Sequence, residues 1–285
     1  MRRIGISTGM EGLNRAGFEE YRANKIDAFE LSVHCEQYDL LDIAKIAGEA
    51  RETGIDTWSF HLPFSQKVAI ASLDDDLREK TIAIDEEYIL KAGDAGFKYC
   101  VIHPSSEPIE DDQREECMKR SMDALSRLAG VAERAGVTLA IEDLPRSCLG
   151  HCSDEMLRLL GADASLRACF DTNHLLIEDF STFLDRVKDR IVTLHVSDYD
   201  YINERHWLPG EGKTDWVKLM DKLDEINYDG VFMYEVDKGT TGTIVREGDI
   251  TPAQFRQNAE ELHSRKPLTK RGTPREHLGF WGVEE

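Results

Sequence analysis

Residues 136–143 read Gly136-Val137-Thr138-Leu139-Ala140-Ile141-Glu142-Asp143, and this stretch holds the repeating unit of the whole chain. A glycine stands where a helix must end and the chain turn. A run of apolar and β-branched residues follows, without the strict alternation of a half-exposed strand, as expected for a parallel strand covered on both faces. Carboxylates close the run. Working outward, similar runs occur at Ile4–Thr8, Ala28–Val33, Thr57–Leu62, Tyr99–His103, Ala168–Asp171, Ile191–Val196 and Val231–Val236. With Thr138–Glu142 that makes eight expected strands, and Gly54, Gly96 and Gly230 precede others of them.

The intervening segments carry helical spacing. Leu40, Leu41, Ala44, Ala47 and Ala50 predict one buried stripe, Met118, Met122, Leu125, Leu128 and Ala132 a second, and Trp216, Leu219, Met220 and Leu223 a third. Thr251-Pro252-Ala253-Gln254 predicts a helix start, with Thr as cap, Pro at the first helical position and Gln reaching back. Strand–helix alternation without a break predicts a single (β/α)8 barrel over residues 1–266. No Gly-x-Gly-x-x-Gly follows an early strand to favour an open doubly wound sheet. From Pro267 to Glu285 the chain is rich in Lys, Arg, Gly and Pro, which predicts an irregular tail packed against the barrel or a neighbouring subunit.

The length of 285 residues suits one such barrel, which typically takes about 250. Its 35 basic and 55 acidic residues leave a net charge of −20, the wrong sign for gripping a phosphate backbone, so no nucleic-acid partner is expected. No apolar run approaches the roughly 20 residues of a membrane span, and the start lacks a signal-peptide core. A cytoplasmic protein is expected. The cysteines, Cys35, Cys100, Cys117, Cys148, Cys152 and Cys169, are then expected as free thiols. Cys148-Leu149-Gly150-His151-Cys152 lacks a second pair at structural-zinc spacing and reads as a loop.

In a (β/α)8 barrel chemistry gathers at the carboxyl ends of the strands. There six consecutive runs present His61, His103, Glu142, Asp171 with His174, His195 with Asp198, and Glu235. One such residue alone is usually a satisfied buried polar group. Six at one mouth are different, because crowded carboxylates repel and are costly to desolvate. A divalent cation is the simplest compensation, and mixed oxygen and imidazole donors suit manganese, magnesium, cobalt or zinc.

Taken in order, Glu142, Asp171-x-x-His174, His195-x-x-Asp198, Arg205-His206-Trp207-Leu208-Pro209-Gly210-Glu211-Gly212 and Glu235 resemble the xylose-isomerase-like TIM barrel superfamily. That group contains sugar isomerases and epimerases, inosose-processing enzymes and apurinic-site endonucleases. In its isomerase branch the resemblance implies that Glu142, Asp171, His195 and Glu235 ligate one metal. Glu142 and Glu235 would flank a small sugar-like substrate as paired catalytic carboxylates beside a metal-stabilised enediolate. His174 would contact a substrate hydroxyl, with His61, His103, Glu204 and His206 also near the substrate. In the endonuclease branch, a zinc phosphodiesterase, those same positions would hold extra metal ions, although Glu204 stands where an aspartate is expected. A keto-sugar dehydratase or lyase would use the same site. The resemblance is also compatible with a homo-oligomer.

Other residues admit two readings. Arg146 is either a clamp for a substrate phosphate or carboxylate or an ordinary ion-pair partner. Trp207 either stacks on a sugar face or packs its loop. His34 follows the second strand and either reaches the mouth or is an ordinary loop residue. Asp198 is expected to orient His195 or the loop, and at least one of Trp58 and Phe60 to pack the barrel.

Overall fold

Alternation along each strand decides what fills the centre of the molecule. The computed structural model describes residues 1–282 and contains strands β1 (Ile4–Thr8), β2 (Ala28–Leu31), β3 (Asp56–His61), β4 (Tyr99–Ile102), β5 (Thr138–Glu142), β6 (Arg167–Asp171), β7 (Ile191–His195) and β8 (Phe232–Tyr234). All neighbours pair in parallel in the order β7-β6-β5-β4-β3-β2-β1-β8. The remaining seam is bridged where Val196 N donates to Met233 O at 2.8 Å and Glu235 N to Val196 O at 3.1 Å. The sheet is a (β/α)8 barrel.

Inward-facing positions recur every second residue. Ala28, Val101, Ala140, Cys169 and Met233 are buried apolar side chains of two compact clusters, and two residues further along lie Glu30, His103, Glu142, Asp171 and Glu235. Period two therefore places a polar layer directly above an apolar one. Trp58 belongs to the lower layer and crosses the barrel, its Nε1 donating to Thr193 Oγ1 at 3.0 Å. The register of β2 against β3 slips after Phe29, so Trp58 fills the floor while Ser59 still faces Glu30. Phe60 points the other way and packs with Tyr38, Tyr88 and Phe97 beneath the helices.

The outer layer comprises α1 (Arg15–Ala23), α2 (Ile43–Thr53), α3 (Asp75–Ala95), α4 (Arg114–Ala135), α5 (Ser153–Leu160), α6 (Phe180–Val187), α7 (Trp216–Glu225) and α8 (Pro252–His263). Helix α4 ends at Gly136, whose φ of 71° is the left-handed conformation that favours glycine. Helix α8 has the expected capping box of Thr251 and Gln254 with Pro252 in its first turn. The stripe expected for α2 is displaced. Asp42 caps the helix, accepting from Lys45 N at 3.0 Å, so Ile43, Ile46, Ala47 and Ala50 are buried while Ala44 and Leu40 are exposed.

The segment from residue 267 is more regular than expected. Gly272–Pro274 (β10) pairs antiparallel with Ile244–Arg246 (β9). A buried ion pair secures this ribbon, Arg246 donating through Nη1 and Nη2 to Glu211 Oε1 and Oε2 at 2.6 and 2.7 Å. Further on, Gly279 and Phe280 offer their carbonyls to Arg205 and Asn203 in the loop after β7. All six cysteines are unpaired.

Candidate active site

His195, at the end of β7, is the centre of the polar layer. Its Nδ1 lies 2.9 Å from Glu142 Oε1, 3.2 Å from Glu235 Oε2 and 4.0 Å from Asp171 Oδ2. On the far side of the ring, Nε2 lies 3.0 Å from Glu30 Oε2. Glu30 is itself held by Ser59 Oγ at 2.7 Å and Ser7 Oγ at 3.0 Å. Glu142 reaches sideways through Oε2 to His61 Nε2 at 3.2 Å and His103 Nε2 at 3.1 Å.

A second arm leads toward the loop after β7. His174 Nδ1 bonds the Asp143 carbonyl at 2.7 Å, and its Nε2 lies 3.6 Å from Asp171 Oδ2 and 3.4 Å from Glu204 Oε2. His206 Nδ1 sits 3.9 Å from Glu235 Oε2. Its backbone has a φ of 49°, a left-handed conformation uncommon outside glycine and one that persists only where surroundings enforce it. The loop is fixed from below by Asp198. Its carboxylate accepts from the backbone of Tyr199, Gly210, Gly212 and Thr214 and from Trp216 Nε1. A side chain at position 212 would collide with the Tyr199 backbone and Asp198, so glycine is required there.

Burial and proximity set the charge states. Burial pushes the Glu142 carboxyl up, but His195 and His103 outweigh it and hold it well below the usual carboxylate range. Glu235 is also held low against burial, by His195 and His206. Burial lowers the His195 imidazole, yet Cys169 and the carboxylates of Glu235, Glu30 and Glu142 raise it well above its ordinary value. Asp171 goes the other way, pushed up by burial and by the charges of Glu235 and Glu142. His174 is pushed down chiefly by burial.

Asp171 Oδ2 is the informative atom. It is buried and has no hydrogen-bond partner among the described residues, although an unsatisfied buried carboxylate oxygen is costly. Donor atoms of Glu142, Asp171, His195 and Glu235 all lie within 4.8 Å of one another. Three carboxylates and one imidazole fit a divalent cation such as manganese, magnesium, cobalt or zinc. Two further groups meet the same spacing, His61 with His103 and Glu142, and His174 with Glu204 and His206.

Above this layer opens a cavity of about 300 Å³, bordered by Glu142, Glu235, His103, His174, Glu204, His206 and Arg146. Several expected contacts fall elsewhere. His61 is buried against Glu142 and does not border the cavity. Trp207 is buried and is not among the described residues that border the cavity, and its Nε1 donates to Thr243 Oγ1 at 3.0 Å. Arg146 borders the cavity but is engaged by Glu107 and Glu204. His34 is exposed on the turn after β2, and Asp198 orders the loop without touching His195. Glu30 and Glu107 are among the residues at the site that were not anticipated. Glu30 had a signal, a lone carboxylate inside an otherwise apolar strand run. Glu107 sits in an irregular loop and had none.

Comparison with known proteins agrees with this architecture. An uncharacterized protein of Methanocaldococcus jannaschii is 24% identical over 77% of this chain and 78% of its own length. A probable endonuclease 4 of Thermoplasma acidophilum is 26% identical over 61% of this chain and 65% of its own. A fructoselysine 3-epimerase of Escherichia coli O157:H7 is 28% identical over 41% of this chain and 45% of its own. Among solved structures, a D-tagatose 3-epimerase-like protein superposes with a TM-score of 0.76 at 22% identity, covering 93% of this chain and 97% of that one. A 3-keto-D-glucoside 4-epimerase from E. coli gives 0.72 at 20% identity, covering 92% and 100%. The model of one family, the xylose isomerase-like TIM barrel, matches residues 18–263, and the chain belongs to that family.

Proposed function

We propose that this protein is a divalent-metal-dependent isomerase or epimerase acting on a small sugar or cyclitol. The observation that carries the reading is the placement of Glu142 and Glu235. Both border the cavity and both reach the same nitrogen of His195, at 2.9 and 3.2 Å. A divalent cation held by Glu142, Asp171, His195 and Glu235 would polarise a substrate carbonyl and stabilise the negative charge that develops on its oxygen. Glu142 and Glu235 are both held in the ionised form, so either can accept a proton from a carbon next to that carbonyl. Inversion of a stereocentre would follow if one carboxylate takes that proton while the other, having first acquired a proton from solvent, delivers it to the opposite face of the carbon. His174 and His206 border the same cavity and offer ring nitrogens to substrate hydroxyls. A volume of about 300 Å³ lies at the small end of ligand sites, as a monosaccharide requires. The similarity to a fructoselysine 3-epimerase supports the reading. Elimination from a keto-sugar, as in a dehydratase or lyase, would begin with the same proton abstraction. A cytoplasmic location fits the unpaired cysteines.

The test is solvent deuterium incorporation into a panel of keto-sugars and inososes by manganese-loaded protein. Glu142→Gln and Glu235→Gln should each slow exchange by roughly 10²–10⁴-fold, while His206→Ala mainly raises KM. Full exchange in Glu235→Gln would refute the two-carboxylate assignment.

A second reading, a zinc phosphodiesterase of the endonuclease kind, is favoured by the two additional donor groups around His103 and His206 and by the Thermoplasma relative. Against it stands a net charge of −20, which repels a nucleic-acid backbone. Metal content separates the two. About three zinc ions per chain with phosphodiester cleavage would establish the second reading, and one ion with proton exchange the first.

A further inference from the structure

Among the described residues Arg146 is the one Arg or Lys side chain that borders the cavity, which it lines together with Glu107, Glu142, Glu204 and Glu235. Its donors are already directed at protein acceptors. Nε donates to Glu107 Oε2 at 2.8 Å, Nη2 also bonds Glu107, and Nη1 donates to Asn203 Oδ1 at 2.6 Å and lies 3.1 Å from Glu204 Oε2. Of the five N–H bonds a guanidinium carries, one on Nη2 is left over. Trp281 covers the guanidinium face, with the ring centroid 5.2 Å from Cζ. The backbone is held as firmly: Arg146 has a φ of 56°, and its carbonyl is bonded by His151 Nδ1 at 2.8 Å.

An open anion clamp looks different, with a guanidinium fork free to meet two oxygens. Here an incoming phosphate would have to displace Glu107 or Glu204. It would also bring a charge of about −1.5 to −2 beside the carboxylates of Glu107 and Glu204 that flank Arg146. Ser105, Ser106 and Gln66 border the same cavity and offer the neutral donors and acceptors that hydroxyl groups need.

We propose that the outer end of the cavity selects sugars that carry no phosphate or carboxylate, with Glu107 as the specificity residue that keeps Arg146 from binding anions. The inference rests on the isomerase reading above and names its substrate class. Glu107 acts by repelling the wrong ligand as much as by contacting the right one.

The experiment compares matched pairs, such as D-fructose with D-fructose 6-phosphate and other ketoses with their terminal phosphate esters. It uses the full-length manganese-loaded protein, with binding measured by calorimetry and turnover by deuterium incorporation. Wild type should favour the unphosphorylated member of each pair by about tenfold or more. Glu107→Gln should improve affinity for the phosphate ester by about tenfold, the worth of one freed charge-assisted hydrogen bond. Tighter binding of the phosphate ester by wild type, or no gain in Glu107→Gln, would overturn the proposal. If no ketose exchanges protons, the isomerase reading fails, while the calorimetric comparison still decides whether anions are excluded.

Discussion

At the scale of single residues, Glu30 shows how a site is supported from beneath. It is fully buried in β2 and meets His195 Nε2, the nitrogen that faces away from the four-donor group. Ser7 and Ser59 fix its other contacts. A carboxylate behind a metal-binding imidazole sets the ring orientation and strengthens it as a ligand. Glu30→Gln should therefore weaken manganese or cobalt affinity by about 10–100-fold, read by competition with a chelator, with the circular dichroism spectrum unchanged. Unchanged affinity would leave Glu30 a purely structural group. Asp85 is a buried carboxylate with the opposite character. It lies on the inner face of α3 beside Ile82, Tyr88 and Ile89, and its Oδ1 has no partner among the described residues. Burial pushes its carboxyl well above the usual range. Between the unfolded value of about 3.9 and the raised native one, the folded chain keeps a proton that the unfolded chain has released, so stability falls as pH rises through that window. Asp85→Asn should be more stable than wild type by about 1–3 kcal/mol in urea unfolding near neutral pH, and the difference should vanish below pH ~4. An Asn that destabilises at both pH values would show that the carboxyl is satisfied. Neither residue is marked equally in the sequence. Glu30 breaks an apolar run, whereas Asp85 stands among other acidic residues of a helix, where charge is the norm.

At the scale of elements, the strands were legible because each is a short, nearly continuous apolar run, and the period-two alternation then placed the strand-end residues on one layer. The first turn of α2 was not. Leu40 and Leu41 continue the apolar content of the helix, but Asp42 is the residue whose side chain accepts from a free backbone donor of the first turn, Lys45 N, and the helix phase is set from there. The β9–β10 ribbon was invisible for another reason: two three-residue strands lie far apart in the chain and meet through Arg246 and Glu211, a pairing no local pattern announces. The loop after β7 brings Glu204 and His206 to the cavity, and Asp198 anchors it from below. Asp198→Ala would leave four backbone donors and the Trp216 indole without their acceptor. A loss of roughly 3–5 kcal/mol is expected, with faster hydrogen exchange at residues 210–214. Since Glu204 and His206 ride on this loop, metal or substrate binding should weaken too. Unaltered exchange at those amides would place the loop's stability elsewhere.

At the scale of the whole molecule, a chain of net charge −20 concentrates buried acids in its centre. Glu30, Glu142, Asp171 and Glu235 converge on one imidazole, that of His195. A divalent ion bound to the native state and not to the unfolded chain adds stability by mass action, about 2.7 kcal/mol at a hundred times its dissociation constant. For a domain of this size that amounts to a rise in Tm of roughly 5–10 °C. The acidic surface complicates the measurement, because any salt screens its self-repulsion and raises stability without a site. Asp171 separates the two effects. Its orphaned oxygen contributes nothing visible to the hydrogen bonding of the fold, while it supplies one of the four converging donors. In Asp171→Asn the response to sodium chloride should persist and the response to micromolar manganese should disappear. If the variant and wild type gain equally from manganese at matched ionic strength, the cation is acting on the surface and the four residues do not form a metal site.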